Sequence, residues 1–304
     1  MARQWKFFGG DDMERSYKKR ALLERVMEYV FLAAACVSVL CVALICAFLL
    51  ANGLPAMGKI GVLKFLSGTR WKPGADIYGI FPMIVGSVYV TAGALLLGVP
   101  VALLTAVYLV FFCPKGLYRV LKPAVELLAG IPSVVYGFFG IVVLVPAVRA
   151  LGERWDGSGN AMLTASILLA IMILPTTIGV VEPALRAVPT SDYEGALALG
   201  ATHERSVYTA VVPAAKSGIL AGIVLGVGRA MGETMAVIMV AGNQPRMPKG
   251  ILQGVRTLTG NIVIEMGYAT GLHREALIAT GVVLFVFILL INLCFSAFKR
   301  GKKA

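Results

Sequence analysis

Residues 79–112 read GIFPMIVGSVYVTAGALLLGVPVALLTAVYLVFF, thirty-four positions without an acidic or basic side chain. A helix needs roughly 20 apolar residues to cross the hydrocarbon core of a bilayer. The run is too long and too uniformly apolar for a soluble core helix, and it lacks the strict alternation of a membrane β-strand. Working outward, similar stretches occur at 29–51, 123–148, 161–185, 217–241 and 276–297. Together they predict an all-α polytopic membrane protein with about six transmembrane helices. Pro82 and Gly86, near the start of the quoted run, predict a flat entry segment before the span proper.

The composition agrees. Of 304 residues, 58% are apolar and only 14% charged, and the mean hydropathy is +0.83. Soluble domains run at about 45–50% apolar and about 25% charged. The excess excludes a disordered chain and an ordinary cytosolic fold. The net charge of +12, from 28 Lys and Arg against 16 Asp and Glu, would suggest nucleic acid in a soluble protein. Here it sorts by side. The segments 1–28, 113–122, 186–216 and 298–304 carry 17 basic residues, whereas 52–78, 149–160 and 242–275 carry 10. The positive-inside rule then places both termini in the cytoplasm and gives no reason to expect a nucleic-acid partner.

The domain organisation this predicts is a basic cytoplasmic tail over 1–28, a transmembrane domain over 29–297 containing a cytoplasmic loop at 186–216, and a cytoplasmic tail over 298–304. The polar stretch before the first span, and the length of that span, indicate a retained helix rather than a cleaved secretory signal.

The usual equipment for catalysis is missing. The two histidines, His203 and His273, fall in predicted loops, and no Gly-x-Ser-x-Gly or His-Glu-x-x-His occurs. Cys36, Cys41, Cys46, Cys113 and Cys294 show no metal-ligand spacing, so no metal, cofactor or disulfide framework is expected. Residues 53–59 carry the Gly-x4-Gly-Lys frame of a phosphate-cradling loop. Ile60 stands where a magnesium-binding hydroxyl is required, so the frame is not read as a nucleotide site.

Two features carry function. The first is Gly226-Val-Gly-Arg229-Ala-Met-Gly-Glu233-Thr-Met in the fifth stretch. A charge in mid-span costs about 2.5–3.5 kcal/mol on insertion scales, which makes intramembrane charges functional candidates. At a spacing of four on a helix, Arg229 and Glu233 share a face and neutralise each other. A planar guanidinium grips an oxyanion in bidentate fashion; an anion passing Arg229 would exchange with Glu233. The glycines at 218, 222 and 226, followed by 228 and 232, predict close approach by another helix.

The second feature is Glu194-Gly-Ala196-Leu-Ala-Leu-Gly200, then nine residues, then Ala210-Val-Val-Pro213. The spacing predicts a short amphipathic helix ended by Gly200, a compact knob on a cytoplasmic loop. This pattern resembles the "EAA" loop of binding-protein-dependent ABC importer permeases, Glu-Ala-Ala, three residues, Gly, nine residues, Ile-x-Leu-Pro. Glu194, Ala196, Gly200 and Pro213 match, while Gly195, Ala210 and Val212 depart from it.

The stretches Glu126–Gly137, Leu185–Pro189, Arg229–Ala236 and Asn261–Tyr268 are in turn similar to the phosphate-specific importer permeases of the PstC type rather than the PstA type. That resemblance covers roughly residues 75–298.

The resemblance implies a type I, MetI-like permease architecture in a bacterial inner membrane. It implies ATP hydrolysis on partner chains rather than on this one. The partners would be a homologous PstA-type permease, two cytoplasmic ATPase subunits engaged through the loop, and an external phosphate-binding protein. It also places Arg229 and Glu233 on a charged pair implicated in phosphate passage. Read from the residues alone, other cargo stays open: another oxyanion or small solute, or an ion-coupled carrier using Glu233 as its proton site.

Overall fold

The computed structural model describes the backbone of residues 10–152 and 158–300, and side chains over 23–152 and 158–295. Residues 1–9 and 301–304 of the two expected tails, and 153–157 of the 149–160 connection, lie outside the described residues. Two units are distinguished, Met1–Ala51 and Asn52–Ala304.

The first unit is occupied by α1, Gly10–Ile60, which continues into the second. Phe31, Val39 and Leu44 are exposed, and a helix apolar all round suits lipid. Its last turns include residues 53–60. The Gly-Lys frame there is therefore helical and cannot form a phosphate-binding loop.

In the second unit, α2 (Val62–Ser67) precedes a hairpin of β1 (Trp71–Lys72) and β2 (Ile77–Tyr78). The long helix α3 spans Phe81–Val107 and closes in a π-turn, Tyr108–Phe112. Then come α4 (Lys115–Gly130), α5 (Ser133–Phe139), a second π-turn at Gly140–Leu144, and α6 (Val145–Gly152). The next helix, α7, covers Met162–Arg186. Three short helices follow: α8 (Thr190–Ala198), α9 (His203–Ser206) and α10 (Val212–Ala214). The last four are α11 (Lys216–Gly232), α12 (Met235–Val240), α13 (Leu258–Met266) and α14 (Gly271–Arg300).

Among the described residues, five segments are long and apolar enough to cross a bilayer: Leu23–Ile60, Phe81–Phe112, Ser133–Gly152, Met162–Arg186 and Gly271–Phe295. A sixth is formed if His203–Ala214 and Lys216–Gly232, bent by 71°, count as one. The core is built on α3 and α7, which run in the same direction. Ser166 Oγ donates to the Val90 carbonyl at 3.2 Å, and Ala102 and Ala106 share a buried cluster with Ile178, Val181 and Leu185 further along.

Three expectations change. Pro82 lies in the first turn of α3, where its missing N–H costs nothing, so there is no flat entry segment. Gly86 is buried against the Arg256 carbonyl. The expected span at 123–148, whose Gly130 and Pro132 allow local unwinding, breaks between them at Ile131, which takes an extended backbone (φ −71°, ψ 126°), as residues before proline do. The crossing segment begins at Ser133 instead. The expected span at 217–241 is interrupted as well, at Glu233 and Thr234.

The glycine stripe packs as its spacing predicts, in part. A methyl group at Gly218 would collide with Ala184, one at Gly222 would lie 2.8 Å from Val181 Cγ2, and one at Gly226 3.0 Å from Thr177 Oγ1. These glycines seat α11 antiparallel on α7, whereas Gly228 and Gly232 face open space. Gly218→Ala is therefore expected to lower the melting temperature of the purified protein, since overpacking costs about 1–3 kcal/mol. Gly228→Ala is expected to leave it equal or higher, because alanine gains about 1 kcal/mol over glycine in a helix. Equal melting temperatures for the two variants would contradict this packing.

Candidate functional site

The two broken spans meet at their breaks. Ser133 opens α5 immediately after Pro132, and its Oγ donates to Glu233 Oε2 at 3.0 Å. Glu233 ends α11 with an extended backbone (φ −68°, ψ 130°). Its Oε1 accepts from the amides of Thr234 and Ala236, both at 3.2 Å, so the carboxylate caps the first turn of α12. Thr259 Oγ1 donates to the Glu233 carbonyl at 3.2 Å. Beyond the breaks α5 lies directly on α12, for Gly137 leaves no room for a side chain beside Met239 and Ala236.

This geometry corrects the reading of the charged pair. Arg229 lies in the last turn of α11 and Glu233 is its C-cap, the Glu233 amide still donating to the Arg229 carbonyl at 3.1 Å, but no ion pair joins the two side chains among the described residues. The helix stops because glycines at 226, 228 and 232 weaken it and because the Glu233 carboxylate finds a better place on the amides of α12. Arg229, one turn before the break, keeps its Nε buried without a hydrogen-bond partner among the described residues. It lies within electrostatic reach of Tyr136 on α5. The Tyr136 hydroxyl donates back across the first break to the Leu128 carbonyl at 2.8 Å. Ser133 and Tyr136 received no role from sequence alone; the available signal was Pro132, which cannot continue a helix.

At the far end of α7, Glu182 is 4% exposed and accepts from Tyr118 (2.8 Å), Lys122 (2.8 Å) and Arg186 (3.1 and 3.2 Å). Burial acts to lower the Lys122 pKa. The hydrogen bonds and charges of Glu182 and Glu126 outweigh it and hold the ammonium above its ordinary value. This cluster fastens α4 to α7, and with it the approach to Ser133. Glu265, 7% exposed, is held on α13 by Trp71 (2.8 Å), His273 (2.8 Å) and Arg256. Neither carboxylate bonds to Arg229 among the described residues.

The segment 186–216 forms a helical elbow. Glu194 and Ala196 lie on α8, whose end is closed by Gly200 in the left-handed region (φ +84°). The Gly200 amide donates to the Leu197 carbonyl at 2.9 Å and the Ala201 amide to the Ala196 carbonyl at 3.1 Å, the paired bonds of a Schellman cap. Leu199 at this corner is 91% exposed. The Thr202 side chain caps α9. His203 bridges the Tyr193 hydroxyl (2.7 Å) and the Phe111 carbonyl (3.2 Å), with its ring edge-on to Phe112. Pro213 lies on α10, just before the 71° bend that leads into α11 and Arg229. The elbow is thus tied at one side to the end of α3 and at the other to the span carrying the charges.

Two span breaks that face each other, beside a half-buried arginine whose Nε has no hydrogen-bond partner among the described residues, are features found at membrane transport sites. Residues 94–303 match the family described as "Binding-protein-dependent transport system inner membrane component". The chain belongs to that family, and is a multi-pass membrane transport component.

It is similar to the "Probable ABC transporter permease protein YqgH" of Bacillus subtilis, 36% identical over 86% of this chain and 84% of that one. It is also similar to two proteins named "Phosphate transport system permease protein PstC". The one from Mesorhizobium japonicum is 32% identical over 91% of this chain and 90% of its own length. The one from Xylella fastidiosa is 35% identical over 90% and 87%.

Among solved structures, the MetNI methionine ABC transporter in inward-facing form matches with a TM-score of 0.54 at 21% identity, over 73% of this chain and 94% of that one. A bacterial ABC transporter that imports alginate matches with a TM-score of 0.52 at 17% identity, over 96% and 98%. These two likenesses concern the fold alone.

Proposed function

We propose that this chain is a permease subunit of an ATP-driven inorganic phosphate importer. It would share the translocation path with a second, homologous permease. Two cytoplasmic ATPase subunits would engage the 186–216 elbow, and an external binding protein would deliver phosphate at the hairpin end. The relatives named as phosphate permeases support the cargo. The observation that carries the reading is Arg229, whose buried Nε has no partner among the described residues, beside two unwound span segments.

The chemistry follows from the groups present. A guanidinium offers a rigid fork to two phosphate oxygens. Glu233 carries its negative charge one turn away, and repulsion between it and phosphate shortens the stay at Arg229, as passage requires. Ser133, already on Glu233, holds that carboxylate on the α12 amides and away from the guanidinium. Seating of Leu197 and Leu199 against an ATPase groove would turn the elbow. The bend before α11 would carry that turn to Arg229.

Cargo is tested by competition. Uptake of labelled phosphate by cells depending on this permease is expected to persist in a tenfold excess (roughly, one decade of affinity) of sulfate or molybdate, and to fall with unlabelled phosphate. Equal suppression by sulfate or molybdate would transfer the assignment to another oxyanion.

A further inference from the structure

One helix touches both the Glu233 break and the hairpin. Near its start, α13 makes three ties. The Leu258 amide donates to Ser87 Oγ on α3 at 2.9 Å, Thr259 Oγ1 donates to the Glu233 carbonyl at 3.2 Å, and Gly260 lies close under Ile238 of α12. Thr257 caps this end, accepting from the Gly260 amide at 3.1 Å. At the other end Glu265 receives the Trp71 indole N–H of β1, the Arg256 guanidinium, and His273 at the start of α14. Arg256 also reaches the fully buried Asn261 on the same helix at 3.1 Å. The six steps from Thr259 to Glu265 span about 9 Å of helix axis. The helix is thus fastened at both ends.

A cleft of about 490 Å³, lined by Gly74, Asp76, Tyr78, Tyr268 and His273, opens beside Glu265. Its hairpin wall is held by Trp71 stacked edge-on to Tyr78 at 5.6 Å. Whatever presses on the hairpin or enters this cleft therefore acts on the carboxylate that anchors α13. The other end of α13 holds a peptide group that the broken span has released from its helical ladder.

We infer that α13 is a strut that sets the Glu233 peptide from the hairpin, which makes Thr259 and Glu265 positioning residues for passage at the break. The direction of signalling rests on the proposed function: a binding protein seated at the hairpin end would reset the Glu233 carbonyl through α13. This passes from outside inward, opposite to the elbow, and meets it at the same break.

The test is hydrogen–deuterium exchange on the complete transporter purified from its membranes, with phosphate uptake measured in parallel. Thr259→Val keeps the shape of the side chain and removes the hydroxyl. Trp71→Phe keeps a ring and removes the N–H at the far end. Both are expected to raise amide exchange across residues 232–236 by about threefold to tenfold, the scale of one hydrogen bond. Both should lower the maximal uptake rate with KM unchanged, and the double variant should be no worse than the singles. Glu265→Gln, which keeps an acceptor of the same shape, serves if Trp71→Phe fails to assemble, with the same expectation. Exchange that rises only near the substituted hairpin while 232–236 stays at the wild-type level would overturn the strut. A wild-type complex that takes up no phosphate would instead contradict the proposed function and leave the exchange result to judge the strut.

Discussion

Replacing Arg229 by Gln is expected to lower phosphate uptake by about 10- to 100-fold while the permease still inserts and assembles. A hydrogen bond to a charged group contributes about 1.5–3 kcal/mol, and a tenfold change corresponds to about 1.4 kcal/mol. The guanidinium has no ion pair among the described residues, so its removal strands no protein carboxylate. Glu233 keeps Ser133 and the α12 amides whether or not Arg229 is present. Loss of transport without loss of assembly is therefore the expected combination, read from uptake and from co-purification of the partner chains. Normal uptake by the variant would remove Arg229 from the path. Loss of assembly would show that the arginine is a packing residue.

Gly200→Val is expected to uncouple the transporter. Its left-handed backbone (φ +84°) costs an L-residue roughly 1–2 kcal/mol, and valine, branched at Cβ, resists it further. Relief of that strain means loss of the two cap bonds to Leu197 and Ala196. The corner that exposes Leu199 is then lost. Since, among the described residues and beyond its two chain neighbours, no atom lies within 4 Å of a Cβ at this position, the effect is conformational rather than a clash within the chain. ATPase subunits should co-purify weakly and uptake should fall several-fold. Gly200→Asn, a residue that tolerates the left-handed region, should retain much of both. Full coupling in the valine variant would show that the loop does not act through this corner.

The spans were legible because a run such as 79–112 has no alternative solvent to water except lipid. Gly218, Gly222 and Gly226 were legible as a packing face because a four-residue spacing already fixes one side of a helix. The breaks were legible unequally. Pro132 announces the first by its own covalent geometry. The second is hidden, because a spacing of four between Arg229 and Glu233 does not reveal that the helix ends at the second of them.

What ends that helix is tertiary. Ser133 lies 100 residues away in sequence and Thr259 lies 26, and no local pattern reports either. The hairpin escaped for a related reason, since two strands of two residues each are too short for alternation to show. Glu265 could be found as a polar residue near a span, but its partners Trp71, Arg256 and His273 come from three separate segments. The elbow fared better. A glycine three residues beyond Leu197 on an otherwise helical stretch is a local cap signal, and the backbone takes that form.

On the proposed function, this chain passes phosphate when a partner hydrolyses ATP. This is tested most directly by reconstituting the purified complex into liposomes with labelled phosphate and the external binding protein on one side and ATP on the other. Accumulation is expected only when ATP and the binding protein are both present, and none from liposomes holding this chain alone. Accumulation by the chain alone, driven by a proton or sodium gradient without ATP, would contradict the proposed function.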